Sequence, residues 1–275
     1  MDILEAEFDP VRRQPAPRHL RETIQAALPF VAERFPTHLA WSRATINDVT
    51  RDRSASVKEL TATTLASTVF LNRKSKFDAK PLPFEAQLAP VFSVNVADLD
   101  GDGHEDVFLS QNFFAFRGEE SRLDAGRGLW LRGDGKGNLT PMPGQISGIK
   151  IYGEQRGAAL ADFDHDGRID LLASQNAAPT KLYQNVRARP GLRVRLTGPA
   201  SNPDGIGAVM RLKYAGGWGA AHEVHAGSGY WSQDSATPVL GLGGSPQSLQ
   251  VRWPGGKISD SALQDDVLEV TVHHP

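Results

Sequence analysis

The segments ADLDGDGHEDVFLSQN (97–112) and ADFDHDGRIDLLASQN (161–176) are one pattern written twice, 64 residues apart. Asp98, Asp100, Asp102 and Asp106 stand at positions 1, 3, 5 and 9 of a nine-residue loop with Gly103 at position 6; Asp162, Asp164, Asp166, Asp170 and Gly167 repeat it. Carboxylates at alternate positions of a tight turn can converge on one point, and glycine permits the sharp reversal. The residue at position 7, His104 or Arg168, can add its backbone carbonyl. Such a crowd of hard oxygen donors predicts two calcium sites, because carboxylates brought together repel unless a cation neutralises them. Magnesium fits less well, since it demands stricter octahedral geometry and keeps its waters. An EF-hand is excluded: position 12 is Leu109 in one loop and Ala173 in the other, where that motif needs Glu, and both flanks read as strands. A filled carboxylate cage leaves no open position to activate water, so the loops predict structural metal rather than catalysis.

Around the two loops the chain reads as short strands and tight turns. TVFLNRKSKFDAKPLP (68–83) predicts strand, turn, strand, with Val69 to Leu71 and Phe77 as its apolar positions. GLWLRGDGKGNLTPMP (128–143) and KLYQN (181–185) complete a repeat whose period signals stacked supersecondary units, each expected to be one four-stranded blade. VRARPG (186–191) predicts a linker. Beyond it, LRVRL, AVMRLKY, SLQVRW and VLEVTV alternate apolar and polar residues as half-buried antiparallel strands do, which predicts a separate small β domain over 187–275. Upstream, residues 1–18 carry Pro10, Pro15 and Pro17 and predict a poorly ordered lead-in. Leu20, Ile24, Leu28 and Val31 recur at helical spacing, interrupted by Pro29. A second helix is expected from Pro36-Thr37 through Asp48, and a third from Ser56 to about Thr64 with Ser54 or Ser56 as its cap. The domain plan is therefore 1–65 helical, 66–186 repeat and 187–275 terminal β domain.

Composition narrows the class. A hydrophobic fraction of 40%, a charged fraction of 23% and a formal net charge of -2 describe an ordinary globular chain and give no footprint for a nucleic-acid partner. With no cysteine, disulfides, thiolate metal sites and cysteine nucleophiles are excluded. No run of about 18 apolar residues predicts a membrane span, and the first residues lack the apolar core of a signal peptide.

Other motifs carry less. His222-Glu223-Val224-His225 places its histidines three apart on a strand-like stretch, so they face opposite ways and do not make the zinc motif HExxH. Gly227-Ser228-Gly229 fails to complete GxSxG. Gly133 to Gly137 and Gly241 to Gly244 do not open helices and are expected to be hairpin turns rather than phosphate cradles. Trp218, Tyr230, Trp231 and Trp253 suit either core packing or an aromatic platform for sugar or protein, with packing the default for a small β domain. Arg117, Glu119 and Glu120 are expected on a solvated loop.

The segments VADLDGDGHEDVFLSQN and ALADFDHDGRIDLLASQN resemble FG-GAP (VCBS) repeats, the calcium-loop blades of integrin-α-like β-propellers. GIGAVMRL (205–212), GSGYWSQDS (227–235), LGLG (240–243) and VRWPGG (251–256) resemble the ASPIC/UnbV domain. Together these cover roughly 66–275, and the combination is similar to the cartilage acidic protein family, whose members are secreted or surface-associated. The resemblance implies a mainly β fold, partial propeller blades followed by a small β-sandwich-like domain, with a short N-terminal helical segment. It implies calcium on the eight aspartates with backbone help from His104 and Arg168, and a location outside the cell, in the periplasm or at the cell surface. A closed propeller needs at least four blades, so a C-terminal portion of a longer protein is expected, with 18–65 an insertion in the propeller. The expected function is non-catalytic recognition or adhesion directed at a protein or polysaccharide. The alternatives are a propeller-scaffold enzyme acting on polysaccharide, for which no acid–base pair outside the loops is evident, and an assembly factor that docks another protein.

Overall fold

In a computed structural model of the chain, residues 3–52, 57–115 and 121–275 are described. The chain divides into a unit of residues 1–65 and a unit of residues 66–275.

The first unit opens with a ribbon of β1 (Ala6–Asp9) and β2 (Gln14–Pro17), where a disordered lead-in was expected. Asp9 turns the chain by accepting the N–H groups of Val11 and Arg12, and the prolines sit on a two-stranded ribbon that needs few amide donors. The helical periodicity yields α1 (Arg21–Ala27) and α2 (Phe30–Arg34), broken at Pro29 as anticipated. The second helix is also divided, into α3 (His38–Ser42) and α4 (Ile46–Thr50). Thr37 caps α3, and Thr45 with Asp48 forms a capping box on α4. Ile24, Val31, Phe35, Trp41, Ala44 and Val49 make the core, with Phe35 and Trp41 edge to face at 5.4 Å. The proposed caps Ser54 and Ser56 lie outside the described residues, and 57–64 is irregular rather than helical. Val57, Leu60 and Leu65 are exposed there, so no buried stripe supports a helix.

The second unit is mainly β. The hairpin of β3 (Thr68–Asn72) and β4 (Phe77–Pro81) forms as read, although Phe70 and Phe77 face solvent. An antiparallel sheet follows, with β5 (Val91–Ala97), β6 (Asp106–Gln111), β7 (Leu129–Gly133) and β8 (Leu139–Met142) in sequence order. Its central strand β6 is buried on both faces: Leu109 packs with Ala86, Leu129 and Leu131 on one side, and Phe108 joins the apolar cluster of the next sheet on the other. After the one-turn α5 (Gly144–Ser147), a second antiparallel sheet contains β9 (Glu154–Ala161), β10 (Asp170–Asn176) and β11 (Ala178–Tyr183). This second copy has three strands among the described residues, not the expected four. Leu160, Leu171 and Ala173 face Phe108 across the shared core. These sheets do not close on themselves into a barrel.

The terminal part is a two-sheet sandwich. β12 (Leu192–Thr197) lies between β15 (Val239–Leu240) and β18 (Glu269–His273); β13 (Val209–Tyr214), β14 (Gly217–Glu223), β16 (Ser248–Arg252) and β17 (Ile258–Ala262) form the facing sheet in the order β14-β13-β16-β17. Leu192, Val194, Met210, Leu249, Val251 and Trp253 fill the space between the sheets. The alternation was legible, but β12 and β18 pair in parallel, contrary to the antiparallel expectation. The run 241–244 is likewise not a hairpin turn: it carries the chain from β15 to β16, which belong to different sheets.

Candidate metal centres

Each aspartate loop links two neighbouring strands, β5 to β6 and β9 to β10, and the two share the bonds from positions 5 and 6 to the first carboxylate. In the first, Asp98 Oδ1 accepts the N–H of Gly101 (2.7 Å) and Asp102 (3.1 Å), and Oδ2 that of Gly103 (2.6 Å). In the second, Asp162 Oδ1 accepts from Asp166 (3.0 Å) and Oδ2 from Gly167 (3.0 Å). Position 4 is left-handed in both, at Gly101 (φ 72°) and His165 (φ 66°), as is position 6, at Gly103 and Gly167. Two left-handed residues two apart fold the first carboxylate back over its own backbone, so the turn is shaped by position 1 rather than by the flanking strands.

This geometry gathers one oxygen each from Asp98, Asp100 and Asp102 within 4.8 Å of one another, and likewise from Asp162, Asp164 and Asp166. Asp106 and Asp170 stand outside those triplets. Asp106 receives the N–H of Leu99 and Gly133 on its two oxygens (3.1 and 2.7 Å), and Asp170 those of Phe163 and Asn185 (3.0 and 2.7 Å). Position 9 thus ties the loop's start to β7 in the first copy and to Asn185, two residues past β11, in the second. At position 7, Asp102 Oδ1 and Asp166 Oδ1 accept the N–H of His104 and Arg168 (3.0 and 2.9 Å).

The electrostatics fit a cation. Burial raises the pKa values of Asp98 and Asp170, and pushes Asp106 up to about 7 with the Asp100 charge adding to it. Glu105 also rises to about 7, through burial and the charges of Asp98 and Asp106. Carboxylates held this way resist ionisation until positive charge arrives. The protein supplies some: Arg132 on β7 bridges Asp100 (2.6 Å) and Asp102 (2.9 Å), and Arg168 reaches Asp166 (2.5 Å). Arg193 on β12 is buried against Asp162 Oδ2 at 2.9 Å, with Glu269 on its other side at 3.2 Å.

The supposed linker proves to be a seam between the loops. Asn185 donates to the carbonyls of both Leu99 (2.8 Å) and Ile169 (3.1 Å), while Gly191 N–H reaches Gly167 (2.8 Å). The 225–236 segment is a second seam: Asp234 Oδ1 accepts from Leu160 N–H (2.7 Å) and Asn95 (2.9 Å). Sequence reasoning missed Arg193, Asn185 and Asp234, because each acts across a long stretch of chain. Arg193 gave no local signal: in the alternating run LRVRL it stands on the same face as Arg195, opposite the core residues Leu192, Val194 and Leu196.

The remaining motifs fall as follows. His222 is half-buried on β14 beside Met210, while His225 lies past the strand end and is exposed. Trp253 is core, but the packing default fails for the other aromatics: Trp218 and Tyr230 are 44% and 45% exposed and Trp231 is 93% exposed. Arg117, Glu119 and Glu120 lie outside the described residues.

The fold and these centres define a mainly β protein with two acidic clusters able to hold metal ions. Among known families, the model described as ASPIC and UnbV matches residues 198–264, the heart of the sandwich. The chain is similar to cartilage acidic protein 1 of Xenopus tropicalis, 27% identical over 204 residues, and to the mouse and human proteins of that name at 28% and 27%. These alignments cover 66–68% of this chain but only 28–29% of the relatives, so the chain spans under a third of their length. No helix among the described residues is long and apolar enough to cross a membrane.

Proposed function

We propose that this is a calcium-stabilised recognition protein, non-catalytic and working outside the cell, in the periplasm or at the cell surface, with a protein or polysaccharide as its ligand. The observation that carries the reading is the duplication: two loops, 64 residues apart, have the same carboxylate triplet and left-handed positions. Plain Asp-Gly turns have no need to converge three carboxylates twice in the same way. Calcium would be held by Asp98, Asp100 and Asp102 in one loop and Asp162, Asp164 and Asp166 in the other. Asp106 and Asp170 close each site, and the carbonyls of His104 and Arg168 are the expected additional donors. The ion supplies positive charge and a rigid clamp, adding its binding free energy to folding.

On this reading the antiparallel sheets are FG-GAP blades of a propeller, and the sandwich buttresses their loop ends. Thermal melting tests the proposal. Chelation should lower the melting temperature of the 66–275 unit, and calcium should restore it far better than equimolar magnesium. Equal melting with chelator, calcium and magnesium would refute it.

A further inference from the structure

The sandwich covers position 1 of the two loops differently. Asp98 takes its donors from its own loop, the N–H groups of Gly101, Asp102 and Gly103, and the sandwich residue against it is Gly241, where a Cβ would overlap Asp98 Oδ2. Glycine at that contact brings no charge. Asp162 takes the N–H groups of Asp166 and Gly167 and, besides them, Arg193 from β12, whose Nη1 donates to Asp162 Oδ2 (2.9 Å) and to its backbone carbonyl (3.2 Å). The Arg193 side chain is 7% exposed and that of Asp162 not at all, so this cation cannot withdraw into water, and little solvent screens it.

The remaining charge is unequal in the same sense. In the first loop Asp98, Asp100, Asp102 and Asp106 are joined at position 8 by Glu105, which stands close enough to feel the charges of Asp98 and Asp106. Their counter-charge is Arg132, whose side chain is 47% exposed on a flexible stem and is free to swing aside when a metal takes its place. In the second loop position 8 is Ile169, which packs into the apolar core, and Arg168 and Arg193 both stand against the aspartates. Glu269 offsets Arg193 only weakly, because it is 46% exposed. Calcium affinity follows the charge of the ligand set.

We propose that the two loops are unequal calcium sites and that Arg193 sets the difference. The first binds calcium tightly; the second, part-neutralised by a buried guanidinium, binds at least about tenfold more weakly and fills after it. Arg193 does part of the cation's work there, so the second loop keeps its turn at calcium levels that load only the first. The inference rests on the calcium reading above and adds an order of filling to it.

Calcium titration calorimetry of the chelator-stripped full chain tests it in two single-loop variants, with melting to show that each is folded. Asp164→Ala leaves the first loop and Asp100→Ala the second, and the second is expected to bind at least about tenfold more weakly. Arg193→Met added to Asp100→Ala should tighten calcium by about tenfold while lowering the melting temperature of the metal-free chain. If Arg193 served only to hold the loop's shape, the same change would weaken binding. Glu269→Gln in the Asp100→Ala chain is an exposed substitution that breaks no fully buried pair; it leaves the guanidinium less compensated and should weaken calcium by about threefold. Equal affinities in the two single-loop variants, or an affinity that falls or stays the same in Arg193→Met, overturns the inference and leaves the calcium reading intact. An absence of calcium heat in both single-loop variants overturns the two together.

Discussion

Replacing Arg193 with methionine should remove more stability than any exposed ion pair in this protein. Its side chain is 7% exposed and that of its partner Asp162 is fully buried, at 2.9 Å. Methionine keeps most of the volume, so the change reads the charge rather than a cavity. Asp162 would keep the N–H groups of Asp166 and Gly167 but lose its counter-charge, and Glu269 would lose a bond that matters less because it is 46% exposed. Breaking a buried pair from one side costs about 3–5 kcal/mol. For a unit of this size that is a fall in melting temperature of roughly 6–20 °C. Calorimetric melting in chelator measures it, and Asp162→Asn added to Arg193→Met should return part of the loss by removing the stranded charge. A cost below about 1 kcal/mol, the worth of an exposed pair, would refute the claim that Arg193 anchors the second loop.

Other outcomes follow from the same geometry. Burial holds the His222 imidazole down to about 4, from an ordinary value near 6.5. The unfolded chain therefore takes the proton first, and this contribution to stability is complete above pH 6.5 and lost as pH falls toward 4, by about 2–4 kcal/mol in all. A melting series from pH 7 to 4.5 should show His222→Gln losing less stability on acidification than the parent, and parallel curves would contradict it. Gly103→Ala puts a Cβ against Gly243 at a φ of 92° and should cost well over about 2 kcal/mol, whereas Gly148→Ala, at φ 78° with open space around it, should cost only about 1 kcal/mol. Equal costs would mean that the approach of the loop to the sandwich is unimportant. Thr45→Ala should weaken α4 by about 1 kcal/mol through its capping box, read as faster amide exchange over 46–50.

How much of this was legible depended on sequence distance. The aspartate loops could be read because their geometry is made by residues within nine positions, and position 1 bonds directly to the backbone it folds over. Strand alternation located β12, β13, β16 and β18, since burial on one face leaves a period-two mark. It said nothing about direction, and the parallel pairing of Arg193 to Glu269 joins residues 76 apart. The β1–β2 ribbon was missed because its prolines argue against a ladder, yet a two-stranded ribbon turned by Asp9 makes small demands on donors. The third helix was over-read from a candidate cap, without a stripe to bury. Trp231 was assigned to packing on side-chain size, but it stands at the tip of a turn with φ 50°.

The central claim is that each aspartate loop holds one calcium ion. Isothermal titration of the chelator-stripped chain with calcium, beside an Asp100→Ala, Asp164→Ala double variant, tests it most directly. The account predicts two equivalents of calcium with a matching rise in melting temperature, both lost in the variant. An absence of calcium heat, or heat that survives unchanged in the variant, would contradict it.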